Sequence, residues 1–299
     1  SDLRLSTAVE PLHNKNASTA TLKKSQPQHG GAQQMTGTLD NATLESIVER
    51  LAVAAATGTP TAPVRDELAA GGLEAAYAVQ SKMVDRWLAE GKRIVGRKIG
   101  LTSEVVQQQL GVDQPDLGIL TADMCLISGE PIPAGVVLQP RVEAEVALVL
   151  GDDITNDDVT VSELIQAIDH ILPAIEVVGS RIANWDITIL DTVADNASSG
   201  MFVLGTRPTK PGDIELADVT MSMSINGEEV SSGVGRACLG HPYRAALWLA
   251  RHEVRQGRPL KAGDVIMTGA LGPMAPLTGT GEVSATISGL GTVTTKGSD

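Results

Sequence analysis

Three glutamates stand inside apolar, β-branched segments, and any fold of this chain has to neutralise them. One segment reads Arg141-Val142-Glu143-Ala144-Glu145-Val146-Ala147-Leu148-Val149-Leu150, the other Ile171-Leu172-Pro173-Ala174-Ile175-Glu176-Val177-Val178. Short apolar runs bounded by turn residues read as buried strands. In a strand, residues i and i+2 share a face about 7 Å apart. Glu143 and Glu145 therefore point the same way, and Ala147 and Val149 continue that face. A bare charge on a buried face is costly, so such carboxylates are protonated, paired or metal-bound. A divalent cation held by three carboxylates meets the demand, and all-oxygen ligation suits Mg2+ or Mn2+ better than zinc. The competing reading of Glu-x-Glu is the wet side of a half-exposed sheet; Glu176, in a second apolar run, weighs against it.

The 299 residues suffice for one large or two modest domains, and 42% apolar content marks a globular chain. Aromatics are only 2%, so Val, Ile, Leu and Ala must build the core. A net charge of −13 argues against a nucleic-acid partner and repels small anions. An anionic substrate would need local positive charge from a metal, Lys or Arg. Cys125 and Cys238 make no disulfide framework. No apolar run reaches membrane-spanning length and the first residues lack a signal-peptide core, so no membrane partner is expected and the cytoplasm is the expected compartment.

Residues 1–38 are polar and aperiodic and read as a disordered extension, with Met35 a candidate natural start. Residues 39–92 read as a helical region, with helices over 43–56 and 73–89. Residues 93–299 read as a β-rich catalytic domain. Its expected elements are a strand over 93–99, a short helix over 103–110, the two glutamate strands, and a helix near 161–171 opened by a Thr160…Glu163 capping box. Further strands are expected at 201–205, 219–225, 264–268 and 282–295, with a helix over 242–256. The regular alternation of a doubly wound sheet is missing, so the class is α+β with a mixed or largely antiparallel body.

Several chemistries are excluded. Gly233-Val234-Gly235 lacks the third glycine of a dinucleotide fingerprint, there is no Walker A sequence, and no Gly-x-Ser-x-Gly elbow occurs. His252-Glu253 has Gln256 where a zincin helix needs histidine. Lys98, between Gly96 and Gly100, is either a surface lysine or a residue approached closely by a ligand. Asp116, after Pro115, reads by itself as a turn residue. Arg181 follows the Glu176 strand closely enough to bind an anion or to brace the carboxylates, and the polar run from Asp195 to Gly200, Ser198 included, is equally open. His241-Pro242 reads as a helix start, and Thr268-Gly269-Ala270-Leu271-Gly272-Pro273 as a glycine-spaced loop after a strand, suited to close approach by a small ligand.

Six segments in order carry a resemblance. They are Gly96–Thr102, Val106–Asp116, Gln139–Glu145, Leu172–Arg181, Asp191–Ser198 and Thr268–Met274. Together they resemble the hydratase/decarboxylase branch of the fumarylacetoacetate hydrolase superfamily from about residue 42 to the end. The resemblance implies a mixed β-sandwich roll with a small helical N-terminal region, assembled as a homo-oligomer. It implies Glu143, Glu145 and Glu176 as ligands of Mg2+ or Mn2+, and Lys98 and Asp116 as catalytic residues. Arg181, Ser198 and Leu117 are read as substrate-binding positions, Leu117 standing where close relatives carry an aromatic residue. The implied activity is that of a hydro-lyase of aromatic catabolism. It would add water to a small 2-keto acid, 2-hydroxypenta-2,4-dienoate, giving 4-hydroxy-2-oxopentanoate. The alternatives are decarboxylation of 2-oxo-3-hexenedioate or acylpyruvate-type hydrolysis.

Overall fold

The computed structural model describes residues 39–103, 107–108 and 112–298. The expected disordered extension lies outside the described residues, as does most of the expected 103–110 helix, of which Gln107 and Gln108 are helical.

Three helices precede the first strand: α1 (Asn41–Thr57), α2 (Arg65–Leu68) and α3 (Gly72–Ala89). Asp40 caps α1 by accepting from the Thr43 N–H at 2.7 Å, and Gly58 ends it with φ 68°, a left-handed turn that favours glycine. The apolar stripes of α1 and α3 meet in a cluster of their own, with Ile47, Leu51, Ala76 and Val79 packed on Ile182, Val193 and Ala194.

The body is built from β1 (Ile94–Gly100), β2 (Asp116–Thr121), β3 (Cys125–Ile127), β4 (Arg141–Leu150), β5 (Ile168–Val178), β6 (Met201–Leu204), β7 (Thr220–Ile225), β8 (Glu228–Val234), β9 (Val265–Ala270), β10 (Ala275–Pro276), β11 (Glu282–Ile287) and β12 (Gly291–Lys296). Helix α4 (Val161–Ala167) precedes β5, α5 (Ile189–Ala194) follows it, and α6 (Pro242–Arg255) precedes β9. The main sheet runs β2-β1-β9-β4-β5-β6-β3, with β10 beside β4, and β12-β11-β7-β8 form the second. Pairs β1/β9 and β3/β6 are parallel and the other pairings antiparallel, so the body is mixed, as the broken alternation implies. Ile99, Val142, Ala144 and Ile175 of the main sheet share one core with Met223, Val283 and Ala285 of the second sheet and Ala246 and Leu249 of α6.

Several element boundaries differ from the sequence reading; β9, for one, runs through Thr268 to Ala270, where a loop is expected, and three further differences have a plain physical reason. The capping box forms, but α4 stops at Ala167 because Ile168 adopts extended backbone and starts β5 with no loop between. The apolar run 282–295 is a hairpin, broken at Gly289 with φ 79°. Asp116 is the first residue of β2, a strand missed because Pro115 and Gly118 resemble turn punctuation.

Candidate metal centre

Register across the main sheet assembles the site. Glu143 lies directly opposite Glu176, and Glu145 opposite Ala174. Ala147 pairs with Met267 of β9, which pairs with Lys98 of β1. Lys98 pairs with Gly118, and Gly100 with Asp116. Directly paired residues project from the same side of a sheet. Glu143, Glu145, Glu176, Lys98 and Asp116 thus share one face, and all lie toward the same end of their strands. One carboxylate oxygen from each glutamate lies within 4.8 Å of the others. Glu145 and Glu176 are each 1% exposed, Lys98 4% and Asp116 2%.

The cluster is poorly satisfied by the protein. The Lys98 ammonium lies 3.2 Å from Glu176 Oε1, an ion-pair contact without hydrogen-bond alignment. Both Glu176 oxygens, both Asp116 oxygens and Glu145 Oε1 are buried with no hydrogen-bond partner. Burial, then the charge of Glu176, pushes Glu143 up to about 7 and Glu145 well above its ordinary value. Asp116 is also raised, by burial first, with Lys98 opposing. Burial disfavours the Lys98 charge, but Glu176, Asp116, Glu143 and Glu145 outweigh it and its pKa is raised. Converging carboxylates with orphaned oxygens are the donor set a hard divalent cation takes, so Glu143, Glu145 and Glu176 fit such an ion.

Close backbone approach shapes the rest. The Gly269 N–H donates to Glu145 Oε2 at 2.9 Å, and Gly269 sits at φ 109°. A Cβ there would come within 2.3 Å of Thr102 Oγ1. At Gly100 a Cβ would meet Asp116 Oδ1 at 2.2 Å, so the Lys98 glycine motif makes room for the aspartate. The Cys238 thiol donates to Thr268 O at 2.8 Å; burial first, then Glu145, pushes its pKa up to about 12, and it is an inert buttress.

The fumarylacetoacetate (FAA) hydrolase C-terminal model matches residues 93–296, the stretch that carries every residue of this cluster. The chain belongs to the fumarylacetoacetate hydrolase family. Among curated relatives of this family member, 2-keto-4-pentenoate hydratase 1 of Dechloromonas aromatica (strain RCB) is 54% identical over 258 residues, 85% of this chain and 98% of the relative. The TodF product hydratase of Pseudomonas putida (strain F1) is 55% identical over 238 residues, 80% and 89% of the two chains. Among solved structures, the 4-oxalocrotonate decarboxylase from Pseudomonas putida G7, complexed with magnesium and adipate, superposes with a TM-score of 0.83 at 30% identity, covering 87% of this chain and 99% of that one.

Within this family member the five residues read as ligands and catalysts converge; the three read as substrate-binding do not join them in the same way. Leu117 pairs with Ile99 and is buried in the main core, on the opposite side of the sheet from Lys98 and Asp116. A pocket-facing role for Leu117 is thereby corrected: strand alternation sends it away from its neighbour Asp116. Arg181 braces, but its partner is Asp195 rather than the glutamates. Nε donates to Asp195 Oδ1, Nη2 to Asp195 O at 2.6 Å and Nη1 to Ser199 O at 2.8 Å, which leaves little of the guanidinium for an anion. Ser198 lies in a left-handed turn, Asn196, Ala197 and Ser198 having φ 53°, 52° and 56°, and its buried hydroxyl has no partner. That turn packs against the Lys98 strand pair, since a Cβ on Gly118 would meet Asn196 O and Ser199 Oγ at 2.5 Å and Lys98 Cγ at 3.2 Å. His241 caps α6, its Nδ1 accepting from the Tyr243 N–H.

Sequence reasoning missed Gln80 and Arg141. The buried Gln80 amide on α3 donates to Leu117 O at 2.9 Å and Val193 O at 3.1 Å, tying the helical region to β2 beside Asp116. No local pattern marks it. Arg141 has a signal, since it stands two residues before Glu143 and so on the carboxylate face.

Proposed function

We infer that the protein is a hydratase that uses Mg2+ or Mn2+ to add water to 2-hydroxypenta-2,4-dienoate (2-keto-4-pentenoate), forming 4-hydroxy-2-oxopentanoate. The observation that carries this reading is the meeting of Glu143, Glu145 and Glu176 beside Lys98 and Asp116. Hydratase, rather than the decarboxylase alternative, is favoured by relatives above 50% identity against 30% for the solved decarboxylase.

Glu143, Glu145 and Glu176 would hold the dication, which when bound would supply Lewis-acid stabilisation of negative charge on a 2-oxo acid. The chain's own groups handle protons. Lys98, kept an ammonium by its carboxylates, is placed to deliver a proton to C5 of the dienol while the C2 hydroxyl gives one up. Water then adds at C4 of the conjugated enone and C3 takes a proton. Asp116, buried with both oxygens unpaired, can orient that water and pass the proton on. Ser198 offers a hydroxyl whose hydrogen-bonding capacity no protein group uses.

Homo-oligomeric assembly belongs to this reading and is supported by apolar side chains left exposed on α1, α3 and the edge strand β3, namely Val53, Leu88 and Ile127. A cytoplasmic setting is supported by two free cysteines. No helix among the described residues is long and apolar enough to cross a membrane.

The test is incubation of purified protein with 2-hydroxypenta-2,4-dienoate, following the dienol absorbance and identifying the product. Loss of absorbance with appearance of 4-hydroxy-2-oxopentanoate, abolished by EDTA and restored by Mg2+ or Mn2+, is expected. Turnover indifferent to EDTA, or no turnover, would sink the reading; CO2 released from 2-oxo-3-hexenedioate instead would move it to the decarboxylase.

A further inference from the structure

Three cations lie on or beside the carboxylate face, and two are spoken for: Lys98 by Glu176, Arg181 by Asp195. Arg141 is different. It opens β4 opposite Val178 and Pro276, on the face of Glu143 and nearer the strand end. Among the described residues it makes no salt bridge, and its side-chain polar contact is Nη1 to Met274 Sδ at 3.8 Å. Its guanidinium carbon lies 4.4 Å from the centroid of the Trp185 ring.

That ring is a fixed platform. Trp185 Nε1 donates to Gln139 O at 3.0 Å. The Gln139 side chain donates to Ser180 O at 2.9 Å and Ile182 O at 2.7 Å, and accepts from the Asn184 N–H at 2.8 Å. Gln139, Asn184 and Trp185 have φ 51°, 60° and 54°, a left-handed conformation that is unfavourable away from glycine. The three residues hold one another, and through them the ring under Arg141 is fixed. With the ring on its face and Nη1 on Met274 Sδ, Nε and Nη2 have no acceptor among the described residues, and that edge can grip a carboxylate with two hydrogen bonds.

Charge balance says what it grips. Three glutamates against one dication and one ammonium are formally neutral together. A carboxylate substrate then adds one uncompensated negative charge.

We propose that Arg141, laid on Trp185, binds the C1 carboxylate of the 2-oxo acid substrate, in the role that the sequence suggests for Arg181. The proposal rests on the hydratase reading above.

The test compares Arg141→Met, Arg141→Lys and Trp185→Phe with the native protein. Binding of unreactive 2-oxopentanoate and of its uncharged amide is measured by calorimetry in Mg2+, and kcat and KM are measured with the dienoate. Arg141→Met is expected to weaken 2-oxopentanoate and raise KM by about 30-fold, the scale of a hydrogen bond to a charged group. The amide should bind as before, and kcat should change by less than about threefold. Arg141→Lys recovers part of the loss, and Trp185→Phe shows a smaller loss of the same kind. An Arg141→Met protein that binds 2-oxopentanoate like the native one overturns the proposal while leaving the hydratase reading intact. A native protein that neither binds 2-oxopentanoate nor consumes the dienoate overturns both.

Discussion

Adjacent residues of β1 serve two buried charge clusters on opposite faces of the sheet. Arg97 donates through Nε to Glu253 Oε2 at 2.7 Å, and Arg258 donates to Glu253 Oε1 at 2.6 Å, so both oxygens of a fully buried carboxylate have donors. Burial works against the Glu253 charge, and Arg258 and Arg97 outweigh it, holding its pKa below the ordinary value. Lys98 faces the reverse situation, one ammonium among four carboxylates, three of which carry raised pKa values and most of whose oxygens lack donors. The first cluster is complete and ties α6 to β1. The second is stable only with protons or a cation added. A buried charged group that is finished by the protein reads as structure, and one left unfinished reads as a site.

The sharpest break of this contrast is Glu145→Gln. The amide keeps an acceptor for the Gly269 N–H and removes one like charge, so melting in EDTA should stay level or rise. Turnover of the dienoate at ordinary Mg2+ should fall by roughly 10³-fold, as when a key electrostatic group leaves an active site. Native turnover with an unchanged Mg2+ titration would remove Glu145 from the metal centre. Glu253→Gln should do the opposite. It leaves Arg97 and Arg258 around a neutral side chain, at a cost of about 3 kcal/mol. In a domain of this size that lowers the melting temperature by roughly 6–12 °C, while kcat/KM at 25 °C stays within about threefold. Collapse of turnover alongside stability would mean that the two faces of β1 are not independent.

Much of the site was legible because it is written in strand alternation, which is local. The common face of Glu143 and Glu145, its continuation through Ala147, and the Thr160 capping box all depend on residues a few positions apart. What could not be read is register, which is set between distant segments. Asp116 reads as a turn until its pairing with Gly100 places it in a strand, and the same pairing turns Leu117 away from the site. Arg181 and Arg141 are alike in sequence terms, each a cation next to a glutamate strand. Only the folded chain shows that Asp195 takes the first and that Trp185, far along the chain, lies under the second. The resemblance pointed to Glu143, Glu145, Glu176, Lys98 and Asp116, which the fold brings to one face; it carried no information on which arginine lacks an acidic partner.

The smallest effect, and the one that compares the clusters within a single protein, is on pH. Glu143 has its carboxyl pushed up to about 7 from an ordinary 4.5, so without metal the folded state binds that proton more tightly than the unfolded chain does. Its contribution to stability is therefore full below about 4.5 and is lost as pH rises through about 7. Glu253, with a lowered pKa, runs the other way: its contribution is present above the unfolded value and is lost as pH falls through the folded one. A dication competes with the proton on Glu143, so the stabilisation by Mg2+ should grow as pH rises toward and through 7, by at most about 1.4 kcal/mol per pH unit for one proton. Melting curves in EDTA and in excess Mg2+, taken from pH 5 to 8, should diverge steadily with pH, and Glu253→Gln should shift both without closing the gap. A metal increment that is flat across this range would mean that the unfinished cluster does not exchange protons for the cation, and the contrast with the Glu253 cluster would reduce to a difference in burial alone.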